Sequence, residues 1–195
     1  IGSYAMNSVD EGGSQHADNN VAIGSGALTG GAISGGDLLG NIAIGANALD
    51  STASNPHTGT IAIGHDSLTA LTSGTGNTAV GYKSLESNQT GGYNTAVGNI
   101  ALDACTGASN TAVGFGSLGS VVGGGTNIGI GSGAGNSGTG DLTTGNENTL
   151  IGNVTQVSTS NAENQTVIGY GAVGQANDSV TLGNADVTDV YMAQD

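Results

Sequence analysis

Three histidines, one cysteine and 15 carboxylates are the side chains of this 195-residue chain with acid–base, nucleophilic or strong ligating chemistry. Their spacing supports none of it. His16, His57 and His65 lack a Cys or Asp at the intervals of a zinc site, so they are expected to be exposed loop residues; only a threefold axis could gather copies of one histidine around a metal. Asp37 in Gly-Gly-Asp-Leu and Asp141 in Gly-Thr-Gly-Asp-Leu have the local form of calcium-binding solenoid turns, but they do not recur every nine residues. The remaining acids are scattered singly, which leaves no carboxylate pair for general acid–base work. Cys105 stands alone in Asp-Ala-Cys-Thr, without a disulfide partner. Gly-x-Gly-x-x-Gly occurs at 114–119, 133–138 and 169–174, each after a short strand signal. A dinucleotide site would need a helix to follow; none does, and the pattern recurs wherever one turn recurs. Phosphate-loop and nucleophile-elbow motifs are absent. The chain therefore reads as no enzyme, with no cofactor and no metal.

Composition narrows the partners. Lys83 is the single basic residue, and the formal charge is −14. Nucleic acid and anionic membrane surfaces need cations the chain lacks. No stretch approaches the roughly 20 apolar residues of a membrane-spanning helix. The chain has 38 glycines, one proline, one phenylalanine and no tryptophan, and its apolar residues are mostly small or β-branched, which suits a thin, regular structure. Asn-x-Ser/Thr triplets begin at Asn88, Asn153, Asn164 and Asn177; the abundance of Asn and Thr accounts for them without glycosylation.

These residues sit on a repeat. Asn-x-Ala-(Ile/Val)-Gly followed by x-x-(Ala/Ser)-Leu recurs at 20–28, 41–49, 77–85, 94–102 and 110–118, with weaker copies centred on Gly2, Gly64, Gly131, Gly152, Gly169 and Gly183. Each unit reads as a very short strand, a glycine turn, a second short strand and a polar loop. In the first strand Val21 and Ile23, Ile42 and Ile44, Ile61 and Ile63, Thr95 and Val97, and Ile128 and Ile130 share a face. That face, with the apolar residue four or five positions past the glycine (Met6, Leu28, Leu49, Leu68, Leu85, Leu102, Leu118, Val173), is the expected core. Units this short bury a face only by stacking. The fold class expected is all-β: a parallel β-solenoid or β-roll of about eleven rungs, in which Asn20, Asn41, Asn77, Asn94, Asn110, Asn127 and Asn148 form a column of stacked amides. So thin a core favours burial shared between chains.

The units Asn-Thr-Ala-Val-Gly-Tyr-Lys-Ser-Leu at 77–85 and Val-Ala-Ile-Gly-Ser-Gly-Ala-Leu at 21–28 resemble the head repeats of trimeric autotransporter adhesins, and more closely the related repeats of phage and large-virus tail fibres. The resemblance covers almost the whole chain. It implies a left-handed parallel β-roll in each of three chains about one axis, with the Ile/Val positions facing inward. The segment 179–195 is similar to the stretch that precedes an endosialidase-type intramolecular chaperone, which implies that residues 1–174 are the repeat fibre and 175–195 a last rung leading toward that domain. Because Ile1–Met6 is the second half of a unit, the chain is expected to be part of something longer.

The function expected is an extracellular, structural or adhesive fibre segment of a virion tail fibre. Its partners would be two more copies of itself, as a homotrimer, and a host-cell glycan or protein receptor. A bacterial surface adhesin or filament is the alternative. An ice-binding solenoid is a third, because Thr78, Thr95 and Thr111 align; against it, Thr shares its face with the Val assigned to the core. The position after each repeat glycine holds Ser25, Ala46, His65, Tyr82, Asn99, Phe115, Ser132, Asn153 and Tyr170. A core position keeps one size class, so this variable column is expected to face solvent, and His65, Tyr82, Phe115 and Tyr170 are the candidate receptor-facing residues.

Overall fold

The computed structural model describes residues 1–6, 16–29, 37–51, 57–138 and 140–191; residues 192–195 of the C-terminal stretch and several connectors lie outside them. Ten strands follow in order: β1 (Val21–Ile23), β2 (Ile42–Ile44), β3 (Ile61–Ile63), β4 (Thr78–Val80), β5 (Thr95–Val97), β6 (Thr111–Val113), β7 (Ile128–Ile130), β8 (Thr149–Ile151), β9 (Gln165–Ile168) and β10 (Ser179–Leu182). Every strand pairs in parallel with the next, giving one sheet in chain order. This is an all-β parallel solenoid, with no helix among the described residues. The Gly2 unit adds no strand, but it stacks in register on β1 through Gly24 N–H to Ile1 O (2.8 Å) and Gly26 N–H to Ser3 O (3.0 Å).

The register joins like to like: Thr78 to Thr95, Ala79 to Ala96, Val80 to Val97. It also reverses the expected faces. The middle residue of each three-residue strand points inward: Ala43, Ala62, Ala79, Ala96, Ala112 and Leu150 are fully buried. The flanking Ile, Val and Thr residues, assigned to the core on the sequence alone, face out, with Ile23 and Ile130 each 41% exposed. The reason is steric. The interior is narrow, and the leucine of each turn already fills it. At Gly129 an added Cβ would lie 2.6 Å from Leu118 Cγ. Where Gly135 stands at the turn's leucine position, Leu150 from the strand of the following rung fills the space, its Cδ1 lying 2.8 Å from where a Cβ on Gly135 would be.

The turns differ from expectation too. After the repeat glycine no second strand forms; the chain makes a tight turn containing residues in the left-handed region. Gly81 (φ 139°) is typical, because a Cβ there would sit 2.3 Å from the Gly98 carbonyl oxygen. Leu28, Leu49, Leu68, Leu85, Leu102 and Leu118 adopt φ of 50–53°, a costly conformation for leucine. All six are fully buried, and burial of a leucine, worth about 2 kcal/mol, holds them there. Val173 departs from this pattern: it is 43% exposed, although Ala172 before it is buried like Ala27, Ala48 and Ala101 at the same place in other rungs.

The asparagine column is present and internal. Asn77 Oδ1 accepts from Asn94 N–H (2.9 Å), Asn94 Oδ1 from Asn110 N–H (2.9 Å), and Asn110 Oδ1 from Asn127 N–H (3.0 Å). Each amide nitrogen donates to a loop carbonyl, as Asn94 does to Gly107 (2.9 Å) and Asn127 to Gly145 (2.8 Å). Thr60 and Gln165 stand in the place of Asn on two rungs inside the stack, their backbone N–H groups donating to Asn41 and Asn148. Thr60 offers no amide, and its hydroxyl is buried without a partner. There His57 supplies the ring nitrogen nearest the carbonyl at risk, Nδ1 lying 3.4 Å from Gly74 O.

Candidate functional site

Two surfaces stand out, and both follow from the strand–glycine–turn unit. The first is the outer face of the sheet. Two side chains from every strand project from it, and they form two columns. One runs Val21, Ile42, Ile61, Thr78, Thr95, Thr111, Ile128, Thr149, Thr166, Val180; the other runs Ile23, Ile44, Ile63, Val80, Val97, Val113, Ile130, Ile151, Ile168, Leu182. No charged residue interrupts either column, although the chain carries 15 carboxylates and a lysine.

The second surface is the edge that begins one residue past each repeat glycine. Backbone bonds hold it in register: Asp66 N–H to Ala46 O (3.0 Å), Lys83 N–H to His65 O (3.0 Å), Ile100 N–H to Tyr82 O (2.9 Å), Gly116 N–H to Asn99 O (3.0 Å), Gly133 N–H to Phe115 O (2.8 Å), Val154 N–H to Ser132 O (2.9 Å) and Gly171 N–H to Asn153 O (3.0 Å). Tyr82, Phe115 and Tyr170 are 46%, 59% and 71% exposed. His65 and Tyr82, on adjacent rungs, place their ring centroids 5.7 Å apart at 32°. His65 Nδ1 lies 2.8 Å from Asp66 Oδ2. Lys83 Nζ stands 5.7 Å from the Tyr82 ring centre and 2.9 Å from Glu86 Oε1, and these contacts raise the lysine pKa, the Glu86 hydrogen bond foremost. The sequence thus brings His65 and Tyr82 into contact, while Phe115 and Tyr170 lie farther along the same edge.

Beside this edge a groove of about 540 Å3 is lined by Ser51, Thr69, Ala70, Glu86, Ser87 and Gln89. Partial burial raises the carboxyl pKa of Asp50, with Asp66 adding to it; partial burial does the same at Asp103 against opposing backbone hydrogen bonds. Near the C-terminal end a second groove of about 530 Å3 runs between Gly171, Val173 and Gln175 and the Thr181–Asp186 segment.

The histidines separate. His16 and His65 are exposed as expected, but His57 is fully buried, because its ring takes the structural position described above. No group of three or more His, Cys, Asp and Glu able to hold a metal occurs among the described residues. Asp141 closes its own loop, accepting from Gly138 N–H (2.6 Å) and Ser120 Oγ (3.3 Å). Cys105 is buried, and burial pushes its thiol pKa up to about 11, leaving it unreactive near neutrality. Among the described residues no helix is long and apolar enough to cross a membrane. No protein-family profile, curated protein or solved structure matches the chain.

Proposed function

We propose that this chain is a segment of an extracellular fibre, three copies of which associate through the outer sheet faces to present a receptor-binding edge to a host cell. One observation carries the reading: the outer Ile/Val/Thr face runs uninterrupted over ten rungs without a charge. Continuous exposed apolar surface is a liability in a monomer and is covered in an assembly. A second copy is the occupant that fits, because faces lacking charge meet without repulsion while the −14 charge keeps the remaining surface wet. Three chains about an axis is what the resemblance to tail-fibre and adhesin-head repeats implies. A virion tail fibre is preferred, and a bacterial adhesin uses the same assembly.

The test is light scattering on the protein and on Val97→Asp. The parent is expected at the mass of a trimer. The variant is expected to dissociate while keeping its β circular dichroism, since Val97 is on the outer face and its removal leaves the inner packing intact. A monomeric parent, or a trimeric variant, overturns the reading.

A second reading has an observation of its own. Thr78, Thr95 and Thr111 share the outward face with Val80, Val97 and Val113, which removes the objection that this face is the core. Regularly spaced hydroxyl and methyl groups open to water suit an ice-binding surface. Thermal hysteresis measured on the same sample decides: hysteresis from a monomer favours ice binding, and a trimer without hysteresis favours the fibre.

A further inference from the structure

Resting on the reading of the chain as an exposed fibre, we propose that the edge following the repeat glycines is a track for an extended, uncharged polysaccharide lying along the solenoid axis. The edge is ordered as a polymer site would be. Reading down consecutive rungs from His65 it offers ring, ring, amide, ring, hydroxyl, amide, ring: His65, Tyr82, Asn99, Phe115, Ser132, Asn153, Tyr170. Every one of these residues is exposed. The rungs advance about 4.8 Å each, close to the advance of one sugar ring in an extended glycan. Rings that show an apolar face beside polar neighbours match a pyranose, which has an apolar face and a polar rim. A compact ligand would need these groups gathered in a pocket; the structure instead spreads them along a line of six rung steps, roughly 29 Å.

Charge selects within the sugars. The only cation of the chain, Lys83, is already paired with Glu86, and Asp66 flanks His65. The groove whose wall includes Glu86 adds Ser51, Thr69, Ser87 and Gln89, hydroxyl and amide groups able to bond sugar hydroxyls, with no basic residue to neutralise a carboxylate or sulfate. An anionic polymer would meet the field of a −14 chain unaided. A neutral one would not.

Affinity electrophoresis tests this with soluble neutral glucans and mannans in the gel and hyaluronan as the anionic counterpart. The parent is expected to be retarded by at least one neutral polymer and not by hyaluronan. Tyr82→Ser, Phe115→Ser and Tyr170→Ser together should weaken that retardation about tenfold, equivalent to about 1.4 kcal/mol, with mass and melting temperature unchanged. If the triple variant fails to fold, Tyr170→Ser alone carries the test, since that ring is 71% exposed. No retardation by any neutral polymer, equal retardation by hyaluronan, or undiminished retardation of the folded variant overturns the proposal. A trimer that attaches to cells without binding neutral glycans leaves the fibre reading standing and rejects only the track; a parent found as a monomer removes the fibre reading itself.

Discussion

Asn94 shows how one residue type maintains the stack. Its Oδ1 accepts from both Asn110 N–H (2.9 Å) and Asn110 Nδ2 (3.2 Å), while its own Nδ2 donates to Gly107 O (2.9 Å), all in the interior. Asn94→Ala leaves the Asn110 N–H and the Gly107 carbonyl without their amide partner, since Asn110 Nδ2 keeps Gly124 O, and at about 1–3 kcal/mol for each unsatisfied group it should cost about 3 kcal/mol, read as a lowered denaturant midpoint. Thr60 offers the converse case. Its hydroxyl is buried without a partner, so Thr60→Val, of nearly the same shape, should leave the midpoint unchanged or raise it by up to about 1 kcal/mol. A large loss there would mean that the hydroxyl has a role the geometry does not show. The asparagine column was legible in the sequence because identical amides at a fixed place in a repeat must fall in register. The role of His57 was not. It depends on which rung lacks an amide and on where a loop carbonyl then points, and an isolated histidine between turn residues gives no sign of either.

At the scale of the strand and its turn, period-two alternation identified the residues that share a face but not which face is inside. Hydrophobicity alone favoured Val and Ile over Ala, and that choice inverted the solenoid. The deciding quantity is the width of the interior, where the turn leucine and the strand residue compete for one space. Gly135 with Leu150 shows the exchange directly. Two substitutions test this. Ala96→Leu, at a fully buried site, should destabilise by at least the 1–3 kcal/mol typical of overpacking, whereas Val97→Thr, one residue away on the outer face, should leave the folding of a single chain nearly unchanged. Thermal melts at low protein concentration separate the two. Gly81→Ala adds a backbone test, since its new Cβ would sit 2.3 Å from Gly98 O at a φ of 139°. Left-handed strain alone costs about 1–3 kcal/mol, and the contact with the neighbouring rung increases it. The left-handed leucines had no sequence signal, because φ in such a turn is set by the closure of the rung and not by the residue's own preference.

The whole molecule carries a charge of −14 with a single cation, and this makes its response to acid unusual. Most folded proteins lose stability in acid because carboxylates held by partners must be protonated. Here the two carboxyls with shifted pKa values among the described residues, Asp50 and Asp103, both move up, chiefly through burial. A carboxyl whose pKa is higher folded than unfolded binds protons more tightly in the folded state. Its contribution is fully present below the unfolded value, near the model-compound 3.8, and is lost as pH rises through the raised folded value. Acidification from neutrality therefore favours the fold at both sites. The melting temperature is accordingly expected to rise as pH falls from 7 toward 3.8, and because burial is the first cause at both sites, the rise should largely survive added salt. A melting temperature that falls over this interval would show that the carboxylates are held by stabilising partners instead.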